Sequence, residues 1–97
     1  MKNNDNERQI LIKGLVIPVD WDSTGRVQKI GILTDDEEEY EVVSGWASDQ
    51  LKDHLRSEIL AEAELLNGPS SIKTVRVDAF AILDWKGAED WVTAPGT

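Results

Sequence analysis

The sequence predicts a mainly β fold in which five strands close into a small barrel. Their order is β-β-β-α-β-β, with a short helix between strands three and four. Three observations carry this expectation. Three short apolar-polar runs, Ile10 to Asp20, Val27 to Thr34 and Glu39 to Val43, follow one another, each closed by turn chemistry. The first holds Gly14 at its middle, where the absence of a Cβ lets a strand bend and serve two sheets. The run Ile72 to Leu83 alternates cleanly and needs a partner.

The first strand, Ile10 to Asp20, is apolar on both alternating faces for much of its length, as in a strand buried on both sides. Pro18 cannot donate to a ladder and belongs at an edge or near the strand end. Asp20-Trp21-Asp22-Ser23-Thr24-Gly25 is a turn, because short Asp and Ser side chains bond their own backbone and Gly25 supplies a positive φ. Val27 to Thr34 returns as strand two of a hairpin. Asp35-Asp36-Glu37-Glu38-Glu39 is too charged to be buried and serves as the next connection. Tyr40 and Val42 alternate with Glu39 and Glu41, the mark of a half-exposed third strand.

The middle of the chain admits two structures. A helix starting at Ser48 runs on to Asn67 on propensity alone, with Leu51, Leu55, Ile59, Ala63 and Leu66 along one stripe. Alternatively it stops near Arg56, and Ser57 to Leu66 is a strand with Ile59, Ala61, Ala63 and Leu65 inward and Glu58, Glu62 and Glu64 outward. Asn67 to Ser71 is then a hairpin loop. Topology favours the short helix over residues 48–56, because only that choice lets five strands close and remove free sheet edges. In the last strand Val75, Val77 and Ala79 share one side and Thr74, Arg76 and Asp78 the other. Residues 1–8 are expected to be a flexible leader, 9–84 the barrel domain and 85–97 a loose tail.

The chain has 97 residues, so it makes one domain with a modest core. It has no cysteine, so no disulfide and no thiolate metal site can form, which suits a reducing cytoplasm. The leader lacks the apolar stretch of a signal peptide, and no apolar run approaches the ~20 residues that cross a bilayer. Ten basic against 19 acidic residues give a net charge of −9. Such a surface repels phosphate backbones and anionic lipid and keeps the chain soluble and monomeric.

At this point the chain resembles the OB-fold domains (the oligonucleotide/oligosaccharide-binding fold), in particular the small stand-alone bacterial proteins of that class. The residues that carry the resemblance are Gly14 inside a long first strand, the Asp20 to Gly25 turn and the Glu38-Glu39-Tyr40-Glu41-Val42 entry to strand three. The short helix over 48–56 and the closing hairpin ending in Val75-Arg76-Val77-Asp78-Ala79-Phe80 complete it, over residues 9–84. The resemblance implies a Greek-key barrel. Its binding face is made by strands two and three with the loops joining strands one to two and four to five. On this chain that face would carry Trp21, Arg26, Lys29 and Tyr40, with residues 67–71 as the second loop, and Arg76 nearby. A groove for single-stranded nucleic acid should be positive and lined with stacking aromatics. Here Asp20, Asp22, Asp35, Asp36, Glu37 and Glu38 crowd the same rim, so charge disfavours nucleic acid.

The search for reactive chemistry finds little. Asp20-x-Asp22-x-Thr24-Gly25 matches the first half of a calcium loop, but Gly31 stands at the twelfth position, where an acid is required. Asp20, Asp22 and Thr24 are therefore read as a hydrogen-bonded hairpin turn, with a weak divalent-cation site as the lesser alternative. His54 is the sole histidine, and no strained turn presents Ser44, Ser48 or Ser57 as a nucleophile. No cofactor and no catalysis are expected. Of the four tryptophans, Trp46 is expected to plug the barrel, while an exposed Trp21 or Trp91 would mark a partner surface. The preferred expectation is a small acidic binding module for a protein partner. Binding of single-stranded nucleic acid or a nucleotide through Trp21, Arg26, Lys29, Tyr40 and Arg76 is the alternative.

Overall fold

The computed structural model describes residues 9–66, 73–84, 87–88 and 91–93. The leader at 1–8, the loop at 67–71 and Trp85 lie outside the described residues. Along the chain run β1 (Gln9–Trp21), β2 (Val27–Thr34), β3 (Glu39–Val42), α1 (Trp46–Leu51) and a 3-10 turn (Lys52–His54). β4 (Glu58–Leu66) and β5 (Lys73–Asp84) follow, and then two very short strands, β6 (Gly87–Ala88) and β7 (Val92–Thr93). The molecule is mainly β with one short helix, as the alternation of its apolar residues predicts.

Five strands pair in a ring. Their order is β3-β2-β1-β4-β5, and β3 pairs again with β5 to complete the circuit. That closing pair is parallel, with Tyr40 opposite Lys73, Glu41 opposite Thr74 and Val42 opposite Val75. The other neighbours are antiparallel. Closing the ring pairs edges that an open sheet leaves free to aggregate.

β1 makes the ring possible. One of its edges pairs with β4 from Gln9 to Leu15, and the other with β2 from Gly14 to Trp21. Gly14 sits in both ladders, opposite Thr34 and opposite Ile59. A Cβ at this position would stand 2.4 Å from the carbonyl oxygen of Leu33 and 2.8 Å from its carbon. Backbone meets backbone here, so only glycine fits.

Ser57 to Leu66 resolves as extended chain. β4 pairs with β1 on one side and β5 on the other, and these two ladders override the helical preference of its Ala, Glu and Leu residues. Ile59, Ala61 and Ala63 are fully buried. The helix is earlier and shorter than 48–56. It begins at Trp46 after Gly45, whose carbonyl accepts from the Asp49 amide at 3.0 Å, and no side chain caps it. Ser48 is therefore not the cap. It lies inside the helix and is buried with Ala47 and Leu51, the three residues that face the core. Arg56, in the left-handed region at φ 71°, ends the segment. Its amide donates to the Val16 carbonyl at 2.7 Å, and the Val16 amide donates to Ser57 at 3.0 Å, which ties the helix exit to β1.

Two further expectations are corrected. β1 is buried on one face only over its first half: Ile12, Gly14 and Val16 point inward, while Leu11, Lys13 and Leu15 are exposed. The cause is that nothing among the described residues covers the outer side of that stretch. In β5, Ala79 does not share the face of Val75 and Val77. A bulge shifts the register, so that Ala63 pairs with Val77 while Glu62 pairs with Ala79. Directly opposed residues share a face, so Phe80, opposite Ala61, takes the inward place. Phe80 is buried and stacks on Trp46 at 6.0 Å between ring centres, so Trp46 packs over the core as expected. Within the segment expected to be a loose tail, Gly87–Ala88 and Val92–Thr93 pair with β5.

Two glycines separate space from conformation. Gly25 holds φ +89° with nothing within 4 Å of a Cβ. Gly14→Ala is expected to cost about 3 kcal/mol through overpacking, and Gly25→Ala about 1–2 kcal/mol through the left-handed backbone alone. Urea unfolding midpoints measure both. Equal losses would show that the strand crossing yields at Gly14.

Candidate interaction surface

The hairpin joining β1 to β2 is built by one side chain. Asp22 Oδ1 accepts from the Thr24 amide (2.9 Å), the Thr24 hydroxyl (2.7 Å) and the Arg26 amide (3.0 Å). The Asp22 amide donates to the Arg26 carbonyl at 2.8 Å, closing the loop over Gly25. The Thr24 hydroxyl first, then the Arg26 and Thr24 amides, hold the Asp22 carboxyl below its ordinary 3.8. Asp20 Oδ1 accepts from the Trp21 amide at 3.0 Å. The Asp20, Asp22 and Thr24 constellation is thus organised as an Asx turn, with these oxygens already serving backbone donors. Among the described residues no three His, Cys, Asp or Glu side chains converge as a metal-holding set.

Three of the expected binding residues lie on this one hairpin. Trp21 pairs with Val27, Lys29 pairs with Asp20, and Arg26 sits in the turn between them. Trp21 is 52% exposed. Tyr40 and Arg76 are elsewhere. Tyr40 lies opposite Ile32, which is fully buried, so its ring takes the core side of the sheet and packs half-buried against the core. The Lys73 ammonium lies 5.5 Å from that ring's centre. Arg76 is two strands away from the hairpin, on the outer side of β5 facing Glu64 of β4.

Among the described residues, carboxylates pair with Lys29, Lys52, Lys73 and Arg76. Lys29 Nζ lies 3.5 Å from Glu41 across β2 and β3. Arg76 is bonded to Glu64 and lies 3.4 Å from Asp78. Lys73 is bonded to Glu38, which raises its pKa above 10.5. These pairs are solvent-facing and add little stability, but they cancel local positive potential. His54 is half-buried and edge-on to Phe80 at 6.5 Å, in a packing position.

The sequence reasoning missed the outer face of β1. Leu11 is 62% and Leu15 43% exposed, and Trp91 is 41% exposed. Leu15 lies opposite Leu33, so the apolar strip continues sideways onto β2, while on the β4 side Leu11 and Leu15 face Glu62 and Glu58 and only Leu60, opposite Lys13, is apolar. The apolar run of β1 was the available signal, but it reads equally as double burial. Beside Leu11 is a hollow of about 350 Å³ walled by Lys13, Asp35, Asp36, Glu38 and Tyr40. Comparison with family models, curated proteins and solved structures returned no match to this chain.

The Asp22 shift fixes a pH window. A carboxyl whose folded pKa is depressed stabilises the fold above 3.8 and loses that contribution as pH falls through the lower folded value. In an acid titration followed by backbone amide shifts, Thr24 and Arg26 are expected to move with a midpoint below 3.8, and Asp22→Asn to abolish the movement. A midpoint at or above 3.8 would contradict the hydrogen-bonded hub. For Lys73 the sign is reversed: its contribution holds below pH 10.5 and fades as pH rises through the raised folded value.

Proposed function

We propose that the protein is a non-enzymatic, acidic protein-binding module built on an OB-like Greek-key barrel. The ring order β1-β2-β3-β5-β4, with its one parallel pair and its helix between β3 and β4, supports the OB-like assignment. Fold alone does not give function, so the surface carries the rest. The observation that carries it is the exposed apolar strip of Leu11 and Leu15 on the outer face of β1, with Trp21 at the end of the same strand. Large exposed apolar side chains grouped on one element mark a binding surface. On a chain of net charge −9 the favoured partner is a basic protein with apolar anchors. The same charge keeps copies of the chain apart, so the module works as a monomer, and its lack of cysteine suits the cytoplasm.

Single-stranded nucleic acid is the weaker candidate. Lys29 and Arg76 are matched by carboxylates, and Tyr40 turns to the core side. Three of the five groups are thereby drawn away from that role, leaving exposed Trp21 for stacking and Arg26 for phosphate. The immobilised protein is expected to retain basic proteins at physiological ionic strength, undiminished by nuclease, and to lose them in Leu11→Ser/Leu15→Ser. Its tryptophan emission is expected to stay unchanged on adding short oligonucleotides at low salt. Quenching by oligonucleotide, or retention abolished by nuclease, would transfer the assignment to nucleic acid. Retention of nothing would remove the protein-binding function.

A further inference from the structure

We propose that β1 accepts an added strand from its partner along the edge of Gln9 to Lys13: an extended segment carrying apolar side chains for Leu11 and lysine or arginine for Asp35 and Asp36. This rests on the protein-binding function above and names the mode and chemistry of the contact. The two ladders of β1 are offset. β4 pairs with Gln9 to Leu15, whereas β2 joins the other edge only from Gly14 onward. Among the described residues no strand pairs with the β2-facing edge of Gln9 to Lys13. The offset follows from the crossing at Gly14, so the open edge is a consequence of how the ring closes.

The surroundings of that edge select its occupant. β2 ends at Thr34, opposite Gly14, and the chain turns away through Asp35 to Glu38. The space that a longer β2 would have filled is the hollow of about 350 Å³ beside Leu11. An added strand would lie in it, with backbone hydrogen bonds to β1 supplying affinity and alternate side chains supplying selectivity. Its outward apolar residues would extend the strip of Leu11 and Leu15. Its end would abut Asp35 and Asp36, both exposed, in a wall holding three acids and one lysine. Charge complementarity therefore calls for a basic segment. A second copy of the chain is disfavoured, because it would bring two acidic turns and two charges of −9 together.

A short synthetic peptide alternating lysine with valine tests the proposal against the intact protein, with a lysine-serine peptide of the same length as the charge-only control. Hydrogen exchange and backbone amide shifts are the readouts. The lysine-valine peptide is expected to slow exchange at amides within Gln9 to Lys13 and to shift Leu11, Thr34, Asp35 and Asp36. Leu11→Lys and the double variant Asp35→Lys/Asp36→Lys are each expected to weaken binding by about tenfold or more. Both alter exposed positions, and unchanged shifts in α1 and β5 would confirm that the variants fold. Exchange at Gln9 to Lys13 unaltered at saturation, equal protection by the lysine-serine peptide, or shifts gathered on the Trp21 to Val27 hairpin would each overturn the edge proposal. Protein retention by the immobilised module would survive any of those results. Loss of retention together with no peptide binding would bring both down.

Discussion

The close approach of β1 to β2 at Gly14 governs the rest of the molecule. One strand of thirteen residues must leave the β4 ladder and enter the β2 ladder within two positions. The two backbones then come so near that a Cβ would overlap the Leu33 carbonyl. With that crossing in place, β4 and β2 lie on opposite edges of one strand, and β3 and β5 are carried round until they meet in parallel. The core of Ile12, Val16, Ile30, Ile32, Ile59, Val75, Val77 and Phe80 fills the space enclosed, and α1 covers it with Ala47, Ser48 and Leu51. Among the described residues the same crossing leaves one edge of β1 from Gln9 to Lys13 without a partner strand, so closure and exposure come from one cause.

Electrostatics sets the character of the outside. Lys29, Lys52, Lys73 and Arg76 each lie against a carboxylate. None of these pairs is deeply buried, and such pairs contribute little to stability. Their importance lies in the potential: these four cations are already matched, while the acidic excess remains. The acidic excess makes the potential around the chain negative.

Much of the fold was legible in residues. Alternation found β1, β2, β3 and β5, and the Asp22 to Gly25 chemistry found the first turn, because each depends on neighbours in sequence. The fate of Ser57 to Leu66 was legible only through topology, since its local composition favours helix. The start of α1 was misplaced because Ser48 is a good cap by type, yet the packing of Ala47 and Leu51 draws the helix back to Trp46. Of the candidate site, Trp21, Arg26 and Lys29 lie on one hairpin because they are near in sequence. Tyr40 and Arg76 do not join them, since which face a strand residue takes depends on its cross-strand partners.

The sequence by itself determined four of the five long strands, the glycine inside β1, the turn built on Asp22 and the acidic surface. These follow from side-chain periodicity, backbone freedom and charge, all carried by single residues or near neighbours. Only the tertiary structure decided the bulge in β5, which moves Phe80 rather than Ala79 onto the inward face, and the exposure of Leu11 and Leu15. An apolar residue carries no record of whether another strand will cover it. That depends on where the ladders of β1 begin and end, and the backbone crossing at Gly14 sets those limits.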